Sequence, residues 1–147
     1  MKSPSKGAFF LYSYRFIYVK KIFLYLSLSL IYVPILGINN DSLFRVWNNS
    51  SENDTNRLKA IQMLISQKYM LTNPDSTILL ANNMYDLAFR THKIRWMANS
   101  LKLSGIGHYY KSELNLCLED FKKSVSLFNS IKRNLDAALV LNNMAAV

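Results

Sequence analysis

The chain has 147 residues, of which 50% are hydrophobic and 13% are aromatic. That apolar content excludes an intrinsically disordered chain and is sufficient for a real hydrophobic core. Only four Gly and three Pro occur. Such a composition disfavours a turn-rich β architecture and favours long helices, so the predicted fold class is all-α.

The net charge of +9 is unevenly distributed along the chain. Residues 1–37 contain five Lys and Arg and no acid, whereas residues 38–147 contain thirteen Lys and Arg and nine Asp and Glu. More than half of the excess charge therefore belongs to the N-terminal segment, and the remainder is typical of an ordinary protein surface. We therefore expect no nucleic-acid partner.

A stretch without charge, residues 22–40, follows Lys20 and Lys21. Its apolar part, Ile22 to Leu36, has the length of a large signal-peptide core and is shorter than the ~20 residues that span a bilayer. An earlier apolar stretch, residues 8–19, is interrupted by Arg15. The sequence predicts a signal peptide or a membrane anchor over residues 1–37, and a buried core helix is the alternative.

The choice between a cleaved signal and an anchor stays open, and residues 8–36 would lie in the membrane if the segment is not cleaved. The positive charges that precede the apolar stretch predict that the rest of the chain is translocated. We therefore expect a protein that is exported across, or anchored in, a bacterial inner membrane, with its remaining residues on the periplasmic side.

Residues 38–56 are predicted to be a polar linker, because Asn, Ser and Asp favour turns and loops. Five amphipathic helical patterns then follow, beginning near Arg57, Asn73, Ile94, Ser112 and Asn134. Ser112 is expected to cap the fourth helix. The residues expected to face the core at helical spacing are Leu58, Ile61, Leu64, Ile65 and Tyr69; Ile78, Leu79, Ala81, Met84, Leu87 and Ala88; Met97, Ala98, Leu101, Ser104, Gly105 and His108; Leu114, Cys117, Phe121, Val125 and Phe128; and Ala138, Leu141, Met144 and Ala145.

These helical patterns coincide when the sequence is displaced so that Ile61 falls on Leu101. The same displacement, which we call the repeat shift, carries Leu101 onto Leu141 and Tyr69 onto Tyr109. Helix pairs that recur at a constant interval indicate a helical solenoid, because one pair cannot bury its apolar face without a neighbour.

The second copy reads Leu101-x-x-Ser104-Gly105-x-x-His108, followed by Cys117-x-x-x-Phe121. This spacing resembles the pattern of the tetratricopeptide repeat family, W-x-x-L-G-x-x-Y followed by A-x-x-x-F, in which other residues stand at the first, fourth and eighth positions. Its matching positions, which the resemblance assigns to packing between repeat helices, are Leu101, Ser104, Gly105, His108, Cys117 and Phe121. Gly105 and Cys117 stand where the paired helices of that family approach most closely. The resemblance implies a right-handed solenoid of helical hairpins, with one repeat over 57–96, a second over 97–136 and an incomplete third over 137–147.

In tetratricopeptide proteins the first helix of each pair lines a binding surface. The groove positions that the resemblance implies are Lys59, Gln62, Ser66, Tyr69, Met70, Asn99, Lys102, Ile106, Tyr109 and Tyr110. Tyrosines beside lysine and amide groups suit a protein or peptide partner, although the same tyrosines would equally suit packing against the next repeat. The incomplete third repeat predicts self-association.

The register resembles repeats that precede adenylate/guanylate cyclase or sensor histidine kinase domains in bacterial membrane proteins. We therefore expect an interaction or scaffold module, the N-terminal sensory part of a longer signalling protein. The alternative is a fragment of such a cyclase or kinase, whose catalytic domain would lie beyond residue 147. A third option is a small basic membrane protein whose helices lie against the bilayer, with Lys122 and Lys123 as its one indication.

No catalytic, metal or cofactor site is predicted within the chain. His92 and His108 are the only histidines, and no Asp or Glu lies three or four residues from either of them. Cys117 is the only cysteine, so a cysteine-based zinc site lacks its partners. Glu119 and Asp120 are followed, after Phe121, by two lysines, which is typical of a solvated helix face.

Overall fold

The computed structural model describes residues 39–147, which contain six α-helices and no strand. The helices are α1 (Asn40–Asn48), α2 (Asp54–Leu64), α3 (Pro74–Arg90), α4 (Ile94–Tyr110), α5 (Leu114–Ser130) and α6 (Asn134–Met144), and a π-helical turn, Ile65–Tyr69, continues α2. The all-α prediction is confirmed for this part of the chain. The signal or anchor predicted over residues 1–37 lies outside the described residues. Between residues 39 and 147, no helix is both long and apolar enough to cross a membrane.

The polar linker predicted over residues 38–56 contains a helix that the sequence pattern did not reveal, α1. The side chain of Asn39 caps this helix by accepting a hydrogen bond from the Asp41 N–H, 3.1 Å away. Leu43 is its buried residue and forms a small cluster with Ala60 and Leu64 of α2. The prediction was wrong here because Asn, Ser and Asp are both loop formers and helix caps.

A second contact holds α1 against α2. Arg57 donates a hydrogen bond from Nε to the backbone carbonyl of Trp47 over 3.0 Å. The guanidinium also lies over the indole ring, 5.4 Å from its centroid, which is a favourable cation–π distance. The outer side of α2 is therefore covered by α1.

From α3 onward, helices and turns recur with a constant period. Helices α3, α4, α5 and α6 begin at residues 74, 94, 114 and 134, and three-residue turns join them. The middle residue of each turn, His92, Ser112 and Lys132, has a positive φ of 54°, 60° and 56°. Turns this short require consecutive helices to be antiparallel neighbours.

The same cap closes α3, α4 and α5. In the first turn, the Lys93 N–H donates to the carbonyl of Ala88 over 2.8 Å, and the equivalent bonds recur in the other two turns. A bond across six residues, with a left-handed residue just before the donor, defines a Schellman cap. Ser112 therefore belongs to the end of α4, and the prediction that it caps α5 was wrong; Glu113 precedes α5 and makes no side-chain cap.

The core consists of two larger clusters besides the one under α1. One joins α2, α3 and α4 around Ile61, Met84 and Leu103. The other joins α4, α5 and α6 around Phe121 and Val140. Helix α4 therefore contributes to both clusters, and it packs against a neighbour on each side.

Several residues predicted to face the core are exposed. Leu79 is 61% exposed and Leu114 is also exposed, because they point away from the neighbouring helices. In α6 the buried residues are Ala137 and Val140. Of the predicted residues, Ala138, Leu141 and Ala145 are exposed, while Met144 is half-buried and packs against the core. The repeat shift copied onto α6 the face that α4 presents to α5, but among residues 39–147 α6 has a packed neighbour only on its α5 side.

Helices α4 and α5 approach closely at Gly105. A Cβ atom on Gly105 would lie 2.7 Å from two ring carbons of Phe121 and 3.2 Å from the carbonyl oxygen of Cys117. Ser104 beside it is buried and Leu101 is half-buried. A side chain at this position would therefore require the Phe121 ring to shift.

Candidate interaction groove

A groove of about 250 Å³ lies near the carboxyl ends of α2, α4 and α6. Three helices that are not consecutive in the chain meet there, since each follows the previous one after an intervening antiparallel helix. The lining residues are Met70, Ile106, Tyr109, Tyr110, Phe121, Asn143 and Ala146. None of these residues carries a charge, so the groove is an apolar surface with hydroxyl and amide groups.

Two adjacent tyrosines provide most of the exposed aromatic surface of the groove. Tyr109 and Tyr110 are the last two residues of α4, and their side chains are 41% and 48% exposed. Their rings pack edge to face with centroids 5.7 Å apart. Large rings with few rotatable bonds lose little entropy on binding, and a tyrosine hydroxyl can also form a hydrogen bond.

Phe121 belongs to both the core and the groove. Its side chain is 2% exposed, and its ring lies against Gly105. Ile106, one residue further along α4, is half-buried and packs against the same cluster. The floor of the groove is therefore formed by residues that the core already holds in place, which favours a preformed binding surface.

The π-helical turn after α2 positions the remaining wall. The Met70 N–H donates to the carbonyl of Ile65 over 2.9 Å, five residues earlier. A π turn contains more residues than an α turn, so it changes the direction of the side chains that follow it. Met70 is the first residue after this turn, and it lines the groove.

The groove includes four of the ten residues that the resemblance implied: Met70, Ile106, Tyr109 and Tyr110. Tyr69 instead lines a separate cavity of about 380 Å³ beside α1, with Phe44 and Lys68. The remaining five do not line the groove: Lys59 and Ser66 are exposed, Gln62 and Lys102 are half-buried, and Asn99 is buried.

Asn143 and Ala146 were not among the expected groove residues. The repeat shift carries Ile106 onto Ala146 and Leu103 onto Asn143. The repeat shift, applied to the groove positions of the second copy, therefore predicts Ala146 as a groove residue of the third copy. Phe121 was expected at a packing position, and the structure shows that it also reaches the groove.

Two polar side chains on α2 and α4 have unusual surroundings. Burial lowers the pKa of the Lys102 ammonium, and the carboxylate of Asp136 on α6 acts in the opposite direction. The Oε1 atom of Gln62 is buried and has no hydrogen-bond partner among residues 39–147. These two groups lie outside the groove lining, so they do not define its chemistry.

No protein-family model, no curated protein and no solved structure matches the chain. The chemistry of the groove therefore follows from its own lining. That lining suits contact with another molecule: it combines an apolar floor, two partly exposed aromatic rings and a few neutral polar groups.

A separate polar cluster surrounds the turn between α4 and α5. Glu113 Oε2 lies 2.6 Å from Nδ1 of His108, and its Oε1 lies 3.1 Å from Nζ of Lys111. Lys111 also reaches Asp75 at the start of α3, 2.8 Å away, while Nε2 of His108 lies 3.8 Å from Asp120. The cluster ties three helices together at one turn.

The hydrogen bond from His108 lowers the pKa of the Glu113 carboxyl, and the bond from Lys111 acts in the same direction. Cys117 lies nearby in the core, where burial raises the pKa of its thiol, with a further contribution from Asp120. Within residues 39–147, no three side chains of His, Cys, Asp or Glu are grouped so that they could hold a metal ion.

Proposed function

We propose that the helical part of this chain is a protein-interaction module that binds a peptide segment of its partner in the groove. The observation that carries the proposal is the pairing of two partly exposed tyrosines, Tyr109 and Tyr110, with a floor that is already fixed by the core. Buried aromatic anchors of this kind dominate the energetics of protein interfaces.

The expected occupant is a segment that inserts one large apolar or aromatic side chain. A volume of about 250 Å³ is small for a metabolite site but is suitable for one such side chain. No lining residue is charged, so a charged side chain would lose its hydration without gaining a partner. The tyrosine hydroxyls and the Asn143 amide would then hydrogen-bond the backbone of the bound segment.

We further propose that the helices form tetratricopeptide-like repeats of an exported or membrane-anchored bacterial protein, as the N-terminal sensory or scaffold part of a signalling protein. The close contact of Gly105 with Phe121 and Cys117 supports the repeat assignment, because the family's pattern requires its small residues there. The positively charged, acid-free flank of residues 1–37 supports export.

The groove is tested by selecting displayed random peptides on the purified full chain and measuring the affinity of the selected peptides by fluorescence anisotropy. We expect the peptides to share one apolar or aromatic anchor, and the Tyr109→Ala and Tyr110→Ala variants to bind them at least about tenfold more weakly. Tyr85→Ala is the matched control, since Tyr85 stacks on Phe89 in α3 and does not line the groove.

Two results would contradict the proposal. One is a selection that yields no common anchor. The other is a set of peptides whose affinity falls equally in Tyr85→Ala and in the groove variants, because that outcome would place the contact elsewhere on the helices.

A further inference from the structure

The short turns of the helix stack lie alternately at its two ends. Because α3, α4, α5 and α6 run antiparallel in succession, the turn between α3 and α4 lies at the same end as the turn between α5 and α6. The turn between α4 and α5 lies at the opposite end, as does the groove near the carboxyl ends of α2, α4 and α6. The two ends therefore present different sets of side chains.

Positive charge is concentrated at the end that carries two turns. Residues 89–95 contain three Lys and Arg and no acid, and residues 130–136 contain two Lys and Arg and one acid. The turn at the opposite end contains one base and one acid, Lys111 and Glu113, which lie 3.1 Å apart. We call the surface formed by the first two turns the basic end, and its cations are Arg90, Lys93, Arg95, Lys132 and Arg133.

Most of these cations have no acidic partner in the part of the chain that the structure describes. Arg133 pairs through Nε with Oδ2 of Asp136. The other four form no ion pair with any of residues 39–147, and all of them except Lys93 are exposed. Their charges are therefore available to an anionic partner.

Two further acids lie at the same end, in the segment that leads into α2. Oδ1 of Asp54 lies 3.4 Å from Nη1 of Arg57, and Glu52 accepts a hydrogen bond from the side chain of Asn56 over 2.7 Å. Both carboxylates thus bond within their own segment, and neither pairs with a cation of the basic end.

Large apolar side chains are exposed between the cations. Phe89 is 60% exposed, Leu135 is 76% exposed, and Ile94 is also exposed. The repeat shift carries Arg95 onto Leu135, and Arg95 is exposed although α4 has a packed neighbour on each side. The exposure of Leu135 therefore follows from its place in the first turn of its helix and does not depend on a missing neighbour.

We propose that the basic end binds the surface of a bilayer that contains anionic lipids. The exposed apolar side chains enter the headgroup region, and the lysine and arginine side chains contact the lipid phosphates. An acidic peptide or a nucleic acid would match the cations but would leave Ile94 and Leu135 in water, whereas a bilayer interface matches both. Because the two turns lie at one end of the stack, a flat surface contacts them together, and the groove at the opposite end stays open.

The test uses the full chain with phospholipid vesicles and a fluorophore that brightens in apolar surroundings. The fluorophore is attached at Leu135→Cys or, as the control, at Leu79→Cys, an exposed leucine in the first half of α3. The wild-type Cys117 is buried and should not react. Because the fluorophore reports only its own surroundings, membrane attachment through residues 1–37 does not by itself produce the signal.

We expect the fluorophore at position 135 to brighten in vesicles that contain phosphatidylglycerol, relative to vesicles of phosphatidylcholine alone. Added salt should reduce this response, since it screens the attraction between the cations and the anionic headgroups. The fluorophore at position 79 should emit equally in both kinds of vesicle.

Charge reversal distinguishes the basic end from the net charge of the chain. Arg95→Glu combined with Lys132→Glu should abolish the response at position 135. Lys68→Glu combined with Lys122→Glu changes the net charge by the same amount and should preserve the response, because both lysines are exposed and lie outside the basic end.

Three results would overturn the proposal. The first is equal emission at position 135 in anionic and neutral vesicles, and the second is an equal loss of the response in the two double variants. The third is binding of polyglutamate or a single-stranded oligonucleotide that Arg95→Glu with Lys132→Glu abolishes, in a chain that does not respond to anionic vesicles. The peptide groove is tested separately, because no residue of the basic end lines it.

Discussion

Ser124 of α5 donates a hydrogen bond from its Oγ to the backbone carbonyl oxygen of Ala98 in α4, over 2.7 Å. Both residues are fully buried. The bond joins a side chain of one helix to the backbone of the preceding one, so it fixes how far the two helices slide along each other. The cluster of buried side chains around this bond, which joins α4, α5 and α6, is apolar.

Replacing Ser124 by Ala should lower the free energy of unfolding by about 1–2 kcal/mol, because a buried acceptor loses a partner. Urea denaturation followed by circular dichroism measures this change. Ser130→Ala is the control, since that exposed hydroxyl bonds to the carbonyl of Leu127 in its own helix. Equal losses for Ser124→Ala and Ser130→Ala would show that the inter-helix bond contributes nothing.

Gly105→Ala should destabilise the fold by roughly 1–3 kcal/mol, although alanine favours an isolated helix by about 1 kcal/mol. The new Cβ would lie 2.7 Å from ring carbons of Phe121, which the core prevents from moving. In a double-mutant cycle, Phe121→Leu should recover part of the loss. Strict additivity of Gly105→Ala and Phe121→Leu would contradict a direct contact.

Ser112→Gly should raise the free energy of unfolding by about 0.5–1 kcal/mol, because a φ of 60° is costly for a residue with a side chain. Ser112→Val should lower it, since a β-branched residue tolerates that conformation least. The matched control is Asn129→Gly, an exposed residue inside α5, which should be destabilising. A destabilising Ser112→Gly would mean that the turn depends on the serine itself.

Acid should destabilise the turn between α4 and α5 through Glu113. Its pKa is held below the ordinary value of 4.5 in the folded chain, so it stabilises the fold above that pH. The contribution is lost as the pH falls through the lowered pKa. Glu113→Gln should therefore flatten the loss of melting temperature below about pH 4.5. An unaltered acid profile in Glu113→Gln would contradict this role.

The positions of most helices could be predicted from the sequence. The pattern placed the starts of α3, α4 and α6 within one residue of where these helices begin, because Pro74 and the spacing of apolar residues are local signals. Four groove residues were also anticipated, since Tyr109 and Tyr110 stand at a register position that the resemblance supplied.

What the sequence did not reveal depends on contacts distant in the chain. The burial of Leu43 becomes apparent only once α2 offers Ala60 and Leu64, so α1 looked like a linker. The left-handed turn at Ser112 was misread because serine is also a good cap, and only the six-residue hydrogen bond distinguishes the two roles. Which side of α6 is buried depends on how many neighbours it has, and a pattern of apolar residues does not report that number.

The fixed period of the turns sets how this chain can lengthen. Helices begin at residues 74, 94, 114 and 134, and each turn between them ends in the same cap. A duplication of the codons for two helices and their turns would therefore insert one hairpin, keep every cap intact and add another wall to the groove. A duplication of a single helix with its turn would also preserve the caps. Every later helix would then point in the opposite direction, so helices that line the groove would take the positions of helices that do not. Duplication of a whole pair therefore keeps the same helices on the groove side, and duplication of one helix does not.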